Sequence, residues 1–110
     1  MATYQILSWH GIPTGVRARD EEGMASENLP LRFQAAVDAA ATETGHVGTK
    51  EYLAGWNWSE KVKRDGSARE AARAVALEVE EDHPSERVKI LRREITSRLN
   101  GQKENEQVGK

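Results

Sequence analysis

Residues Thr3–Trp9 read Thr-Tyr-Gln-Ile-Leu-Ser-Trp, the strongest strand pattern in the chain. Aromatic and β-branched residues dominate it, and apolar side chains occur on both alternating faces, which predicts a central β-strand. Gly11–Gly15 (Gly-Ile-Pro-Thr-Gly) then interrupts the pattern, because proline cannot donate to a sheet ladder and glycine permits turns. Val16–Asp20 alternates again, so we predict an N-terminal hairpin.

The residues after the hairpin predict a loop and two helices. Glu21–Asn28 is polar and is typical of a loop. Pro30 suits the first turn of a helix, where its missing N–H costs nothing. Apolar residues at helical spacing extend this helix to about Gly45. A short second helix, Lys50–Ala54, is capped by Thr49.

A third strand and two more helices complete the pattern. Trp56–Val62 alternates with period two, which predicts a strand. Ser67 and Glu70 form a Ser-x-x-Glu capping box at the start of an apolar periodic run. Pro84 ends that helix and begins the last one, because its ring disfavours helical backbone at the preceding residue. We expect these two helices to form an antiparallel hairpin, and Asn100–Gly101 to end the second.

The order of elements is therefore ββααβαα, which predicts an α+β fold rather than a parallel doubly wound sheet. The predicted sheet is small and three-stranded, with the N-terminal hairpin joined by the Trp56–Val62 strand and about four helices packed against it. We predict one domain over residues 1–100. Residues 101–110 carry almost nothing apolar and are predicted to be a disordered tail.

Composition excludes several classes of function. The chain has 110 residues and no cysteine, which excludes disulfides, thiolate metal sites and cysteine nucleophiles. Its formal net charge of −2 disfavours a dedicated nucleic-acid binder, which needs clustered positive charge. The N-terminus shows no secretory signal, and no apolar run is long enough to cross a membrane. We expect a cytoplasmic protein that does not contact membranes.

No catalytic constellation is recognisable. His10, His46 and His83 stand alone beside glycine or proline, without the convergent spacing of a metal site, so we predict no metal and no resident cofactor. The carboxylates of Asp20–Glu22 and Glu78–Asp82 are typical of solvated surface. For the second group we expect pairing with the basic last helix, which supplies Arg87, Lys89, Arg92, Arg93 and Arg98.

Tryptophan is the most informative residue type. The chain has three tryptophans against one phenylalanine and two tyrosines, and tryptophan and arginine are enriched in binding hot spots. Trp9 lies beside the Gly-Ile-Pro turn, so we predict that it is partly exposed, whereas Trp58 fits the core and the surface equally well. The candidate binding surface comprises Trp9, His10, Ile12, Pro13, Arg17, Arg19, Trp56 and Trp58.

A family resemblance rests on five segments. They are Tyr4–Trp9, Ile12–Pro13, Val16–Arg19, Leu31–Asp38 and Tyr52–Trp56. Together they resemble the small bacterial domain described as "virulence factor". The resemblance implies no defined activity. It does imply an accessory role, as a companion of one-carbon enzymes that carry out folate- or corrinoid-linked methyl transfer.

Three hypotheses of function follow. The first is a non-enzymatic accessory module that binds a protein partner through the candidate surface. The second is an enzyme, or a subunit of one, whose site is shared at a homodimer interface and uses His10 with the arginines. The third is a weak RNA binder that uses the basic last helix. None of the three names a substrate or a partner.

Overall fold

The structure is a computed structural model that describes residues 1–108, with side chains described to residue 101. The described residues form five strands: β1 (Ala2–Trp9), β2 (Ile12–Arg19), β3 (Met24–Asn28), β4 (Trp56–Trp58) and β5 (Val62–Arg64). They also form four helices: α1 (Leu31–Glu43), α2 (Lys50–Ala54), α3 (Ala68–Asp82) and α4 (Ser85–Val108). The predicted α+β class is confirmed, and so is the number of helices.

All strands join one antiparallel sheet, in the order β3–β2–β1–β4, and β5 pairs with β1 beside β4. The predicted three-stranded sheet is therefore too small. The inner residues of the sheet share one face with the core of α1 and α3, among them Val16, Ala18 and the partly buried Ile6. The described helices cover this face only, so the fold has two layers, a sheet and a layer of helices.

The first hairpin turns within two residues. Trp9 pairs with Ile12, so His10 and Gly11 form the whole loop. Both have positive φ, 48° and 94°, as the type I′ turn that matches the twist of a hairpin requires. The predicted interruption after Gly11 is wrong, because β2 already begins at Ile12 and accommodates Pro13 beside a bulge.

A bulge in β2 lies opposite the end of β1. Leu7 pairs with Gly15 but Ser8 pairs with Pro13, which leaves Thr14 as an extra residue on β2. A bulge bends the strand that carries it and adds local twist. Trp9, which ends β1, is fully buried against Tyr52 of α2 and is not in the partly exposed position that we predicted.

Strand β3 is formed by residues that we predicted as a loop. Its side chains are polar except Met24 and Ala25, and of these Ala25 packs against the core. An edge strand with one solvated face contains few apolar residues, so its sequence shows only a weak strand pattern. Its pairing is fixed by the preceding turn instead, where the Asp20 carboxylate accepts the backbone N–H groups of Glu22 and Gly23.

The predicted Trp56–Val62 strand is split into β4 and β5. Ser59 separates them and continues the pairing irregularly: its hydroxyl accepts the Ile6 N–H at 2.7 Å, and its N–H donates to the Ile6 carbonyl at 2.8 Å. The Ser59 hydroxyl oxygen thus accepts the hydrogen bond that a backbone carbonyl accepts in a regular sheet. Such an irregular edge, followed by the charged Glu60, discourages pairing with another strand.

The predicted starts of α2 and α3 are confirmed, whereas α1 begins at Leu31, so Pro30 is its N-cap and not a residue of its first turn. The Thr49 side chain caps α2, and Ser67 and Glu70 form the capping box of α3. The alanine-rich face of α3 packs on β1, β2 and β3. Helix α4 packs along α1 rather than forming the expected hairpin with α3, and its Val88, Ile95 and Leu99 supply the buried stripe.

The predicted helix end at Asn100–Gly101 is wrong, because α4 continues to Val108. Asparagine followed by glycine favours a stop but does not impose one when φ stays helical. The separate tail over residues 101–110 stays a prediction for the part beyond this helix, and its last two residues lie outside the described residues. Within the described part of the chain, no helix is both long and apolar enough to cross a bilayer.

Candidate functional site

Burial divides the candidate binding surface in two. Trp9 and Ile12 are fully buried, and Pro13 is buried within β2. Trp56 pairs with Trp9 and is partly buried. Arg17, Arg19 and Trp58 lie on the side of the sheet away from the core residues Val16 and Ala18. The eight residues therefore do not form one surface, although three of them share the uncovered side.

Trp9 is a structural anchor. Its indole Nε1 donates to the Tyr52 carbonyl at 2.8 Å, which satisfies the one polar group of the side chain. Its ring meets His10 edge-on at 4.5 Å between centroids and lies 5.9 Å from Tyr52. These contacts tie the end of β1 to α2, so Trp9 offers no surface to a partner.

His10 has a positive φ of 48°. This left-handed conformation is uncommon for residues other than glycine, and asparagine, aspartate and histidine adopt it more often than the rest. Its backbone N–H donates to the Gly55 carbonyl at 3.1 Å. Its ring Nε2 is buried and has no hydrogen-bond partner among the described residues. The ring is wedged between Trp9 and Gly55, with no room for a ligand at Nε2.

The pKa of His10 is lowered from its ordinary value, first by desolvation of the ring and then by the nearby charges of Arg98 and His46. As the pH falls through about 6.5, His10 is therefore protonated in the unfolded chain before it is protonated in the folded protein. The contribution of the neutral His10 to the free energy of unfolding is complete above that pH and is lost as the solution becomes acidic.

His10→Asn is expected to raise stability at neutral pH and to flatten its dependence on pH between 7.5 and 5.0. Asparagine suits the positive φ of a type I′ turn and leaves no buried imidazole to protonate. Urea unfolding of both proteins at the two pH values measures this. Asp20 does not interfere: backbone N–H groups, that of Ala68 first, lower its pKa, so its contribution is lost only at lower pH. Parallel pH profiles for the two proteins would contradict this role of His10.

The histidines do not converge on a metal. His10 and His46 lie 6.5 Å apart between ring centroids, but His46 Nδ1 already lies 2.7 Å from Thr44 Oγ1. His83 Nδ1 lies 2.8 Å from the Val79 carbonyl at the end of α3. Across the described residues, no three histidine, aspartate or glutamate side chains are grouped as metal ligands would be.

The uncovered side of the sheet, here called the open face, is the better candidate. By strand register it displays Thr3, Gln5, Arg17, Arg19, Trp58 and Lys63. At its centre the Arg17 guanidinium lies 3.8 Å from the Trp58 ring centroid and donates to Gln5 Oε1 at 3.0 Å. Trp58 stays 41% exposed beneath it. This stacked pair is the largest exposed aromatic feature of the described chain.

A shallow depression of about 460 Å³ lies on the open face beside this pair. Thr3, Gln5, Arg19 and Lys61 line it, together with Met24. Of these five residues, only Arg19 belongs to the surface predicted from the sequence. Thr3 and Gln5 alternate with core residues of β1, and this pattern could have identified them. The positions of Met24 and Lys61 depend on strand β3 and on the break between β4 and β5, which the sequence does not predict.

No described carboxylate lies within ion-pair distance of the cations of the open face. The ion pairs among the described side chains join Arg64 to Glu78, Lys89 to Glu86, and Arg92 to Glu43, all away from this face. Arg17 and Arg19 contact neutral groups instead, the Gln5 amide oxygen and the Met24 sulfur. The open face is therefore an electropositive surface.

Arg32 and the basic last helix make their polar contacts within the fold. Arg32 donates to the carbonyls of Glu80 and His83. It thereby places a cation at the C-terminus of α3, where the helix dipole favours one. The expected pairing of the acidic end of α3 with α4 is wrong. Arg92 of α4 pairs with Glu43 of α1 instead.

Comparison with known proteins bears on these surfaces. The profile of the family described as "Virulence factor" matches residues 7–91, from the end of β1 into α4. The chain belongs to the virulence factor family. No curated protein matches the chain. No solved structure matches it either.

The virulence factor match confirms the resemblance read from the sequence. It includes Trp9, His10, Arg17, Arg19 and Trp58, and hence both the buried anchor and the central pair of the open face. It begins after Thr3 and Gln5, which complete that face from the first half of β1. The family description defines no reaction, so the geometry of the open face carries the functional argument.

Proposed function

We propose that this member of the virulence factor family is a non-enzymatic, cytoplasmic accessory module that binds a partner protein through its open face. The observation that carries the proposal is the exposed Arg17–Trp58 stack at the centre of a sheet face that no described helix covers. Tryptophan and arginine are the residue types that most often dominate binding energy when a partner excludes water from them.

The dimensions of the open face fit a modest interface. The sheet is four strands wide when β4 and β5 are counted as one position. With strands about 4.8 Å apart and about five residues of each strand exposed, the open face measures about 14 Å by 17 Å. Stable complexes bury about 800 Å² on each partner, and smaller footprints belong to weak or transient ones. A transient complex is what an accessory protein needs if it must dissociate from the enzyme that it assists.

The family resemblance supports a more specific partner. We propose that this partner is an enzyme of one-carbon metabolism that carries out folate- or corrinoid-linked methyl transfer. The support is the resemblance alone, and the open face neither favours nor disfavours a particular enzyme of that class. A partner in this class would place the module beside a reaction rather than make it the catalyst.

Affinity capture from a lysate of the native organism tests the proposal. The immobilised chain is compared with Arg17→Ser/Trp58→Ser and with Arg69→Ser/Arg73→Ser, whose arginines are exposed on α3 at the opposite side. We expect a partner enriched by the wild type and by the α3 variant, and depleted at least tenfold with the open-face variant. A partner captured equally by all three, or none enriched over blank matrix, would contradict the proposal.

A further inference from the structure

We infer that the element docking on the open face is an extended acidic segment of the partner protein, anchored by one apolar side chain. The inference rests on the proposed function and names the chemistry of the partner. It follows from an ordered change in chemistry along the strands of the open face, from an apolar end near the hairpin turn to a cationic end near the N-terminus.

The apolar end is formed where β1 and β4 pair. Leu7 lies opposite Trp58 on one side and opposite Gly15 on the other. Gly15 adds no side chain, which leaves a shallow notch beside Leu7 and Trp58. A β-carbon there would make only ordinary van der Waals contacts, the shortest being 3.4 Å to the Glu27 carbonyl oxygen, so the notch is not filled by neighbouring atoms. A leucine or phenylalanine of a partner can fill it by ordinary apolar contact.

The cationic end is formed by a row that crosses three strands. Thr3 lies opposite Arg19 of β2 and opposite Lys63 of β5, so one cation stands on each side of the threonine. Lys61 lines the depression beside them. Midway between the two ends lies Arg17, two residues from Arg19 on the same face of β2. The positive charges thus run along the strands rather than forming a single spot.

The missing counter-ions indicate what must bind. Arg17, Arg19 and Lys63 have no carboxylate partner among the described side chains. Asp20 and Glu21 line the rim of the depression, but Asp20 is engaged by the N–H groups of Ala68, Glu22 and Gly23. A carboxylate from outside would pair with these cations without displacing an internal one.

The spacing favours a protein segment over nucleic acid. Leu7 and Thr3 are four residues apart on β1, about 13 Å at 3.3 Å per residue. An extended segment with an apolar residue followed by acids two and four positions later presents all three side chains on one side. Single-stranded nucleic acid needs several stacking platforms in a row, and the open face offers one indole, already stacked by Arg17.

Calorimetric titration of the full chain tests the inference with defined probes. The acidic probe is the peptide acetyl-Gly-Leu-Ser-Glu-Ser-Glu-Gly-amide; the others are the same peptide with lysine in place of glutamate, and an oligouridine of twelve nucleotides. We expect the acidic peptide to bind and to weaken with added salt, and the lysine peptide not to bind. Arg19→Gln/Lys63→Gln should weaken binding about tenfold.

The control variant is Arg69→Gln/Arg73→Gln, which removes the same charge from exposed positions on α3. It should bind the acidic peptide within about twofold of the wild type, because charges far from the contact are screened. Equal weakening in both double variants, no binding of the acidic peptide, or tighter binding of the oligouridine would overturn the inference. A captured partner that depends on Trp58 but contacts the open face without carboxylates would overturn it too, and leave the proposed function standing.

Discussion

Trp9→Ala is expected to cost about 3–5 kcal/mol of unfolding free energy, the range for truncating a large buried aromatic side chain. The indole is fully buried, it packs on His10 and Tyr52, and its N–H satisfies the Tyr52 carbonyl. A small domain has about 5–15 kcal/mol in total. Thermal unfolding followed by circular dichroism should show the midpoint fall by about 15–30 °C.

Trp58→Ala is the matched control for Trp9→Ala. Its indole is 41% exposed and loses a stacking contact with Arg17, which is worth about 0.5–1 kcal/mol at an exposed site. If Trp9→Ala does not fold, Trp9→Phe gives the same comparison at smaller cost, because it keeps a ring and loses the N–H. Similar losses at positions 9 and 58 would show that the two tryptophans do not differ in burial.

Gly55→Ala is expected to destabilise the fold by about 2–3 kcal/mol through overpacking. A β-carbon at Gly55 would lie 2.5 Å from Trp9 Nε1 and 2.7 Å from His10 Nε2. Both atoms belong to packed rings rather than flexible chain ends, so the end of β1 or the whole of α2 must shift. The backbone itself is not the obstacle, because the φ of Gly55 is −75°. Urea unfolding measures the loss.

Gly101→Ala serves as the control for Gly55→Ala and should have the opposite sign. Gly101 lies within α4, and a β-carbon there meets nothing within 4 Å. Alanine is favoured over glycine in a helix interior by about 1 kcal/mol, so the variant should be slightly more stable. Destabilisation by Gly101→Ala would mean that the helix ends near Asn100, as the sequence predicts.

Local chemistry made the helices predictable. A cap such as Thr49, or the Ser67–Glu70 box, acts within one turn of its own helix. The capping residue and the helix start that it determines are therefore neighbours in the sequence. The sheet depended on distant residues. Strand β3 has a weak apolar pattern, and its pairing follows from a turn that Asp20 builds. The gap between β4 and β5 exists because Ser59 bonds to Ile6, fifty-three residues earlier.

The candidate site was predictable in part for the same reason. Arg17 and Arg19 alternate with the buried Val16 and Ala18 along β2, so the sequence of one strand shows that they share a face. Trp9 was predicted as partly exposed because it adjoins the turn, whereas its burial depends on Tyr52 of α2, 43 residues later in the chain. The stacking of Arg17 on Trp58 joins residues of two strands that are not sequence neighbours, so no local pattern announces it.

The bulge at Thr14 also limits how the chain can change in length over evolutionary time. Removing that residue would take away the added bend of β2 and the hydrogen bonds of Thr14, which donates its hydroxyl to the Leu7 carbonyl and accepts the Leu29 N–H. Related genes should therefore tolerate insertions and deletions in the connection between α1 and α2 far better than between Ile6 and Val16.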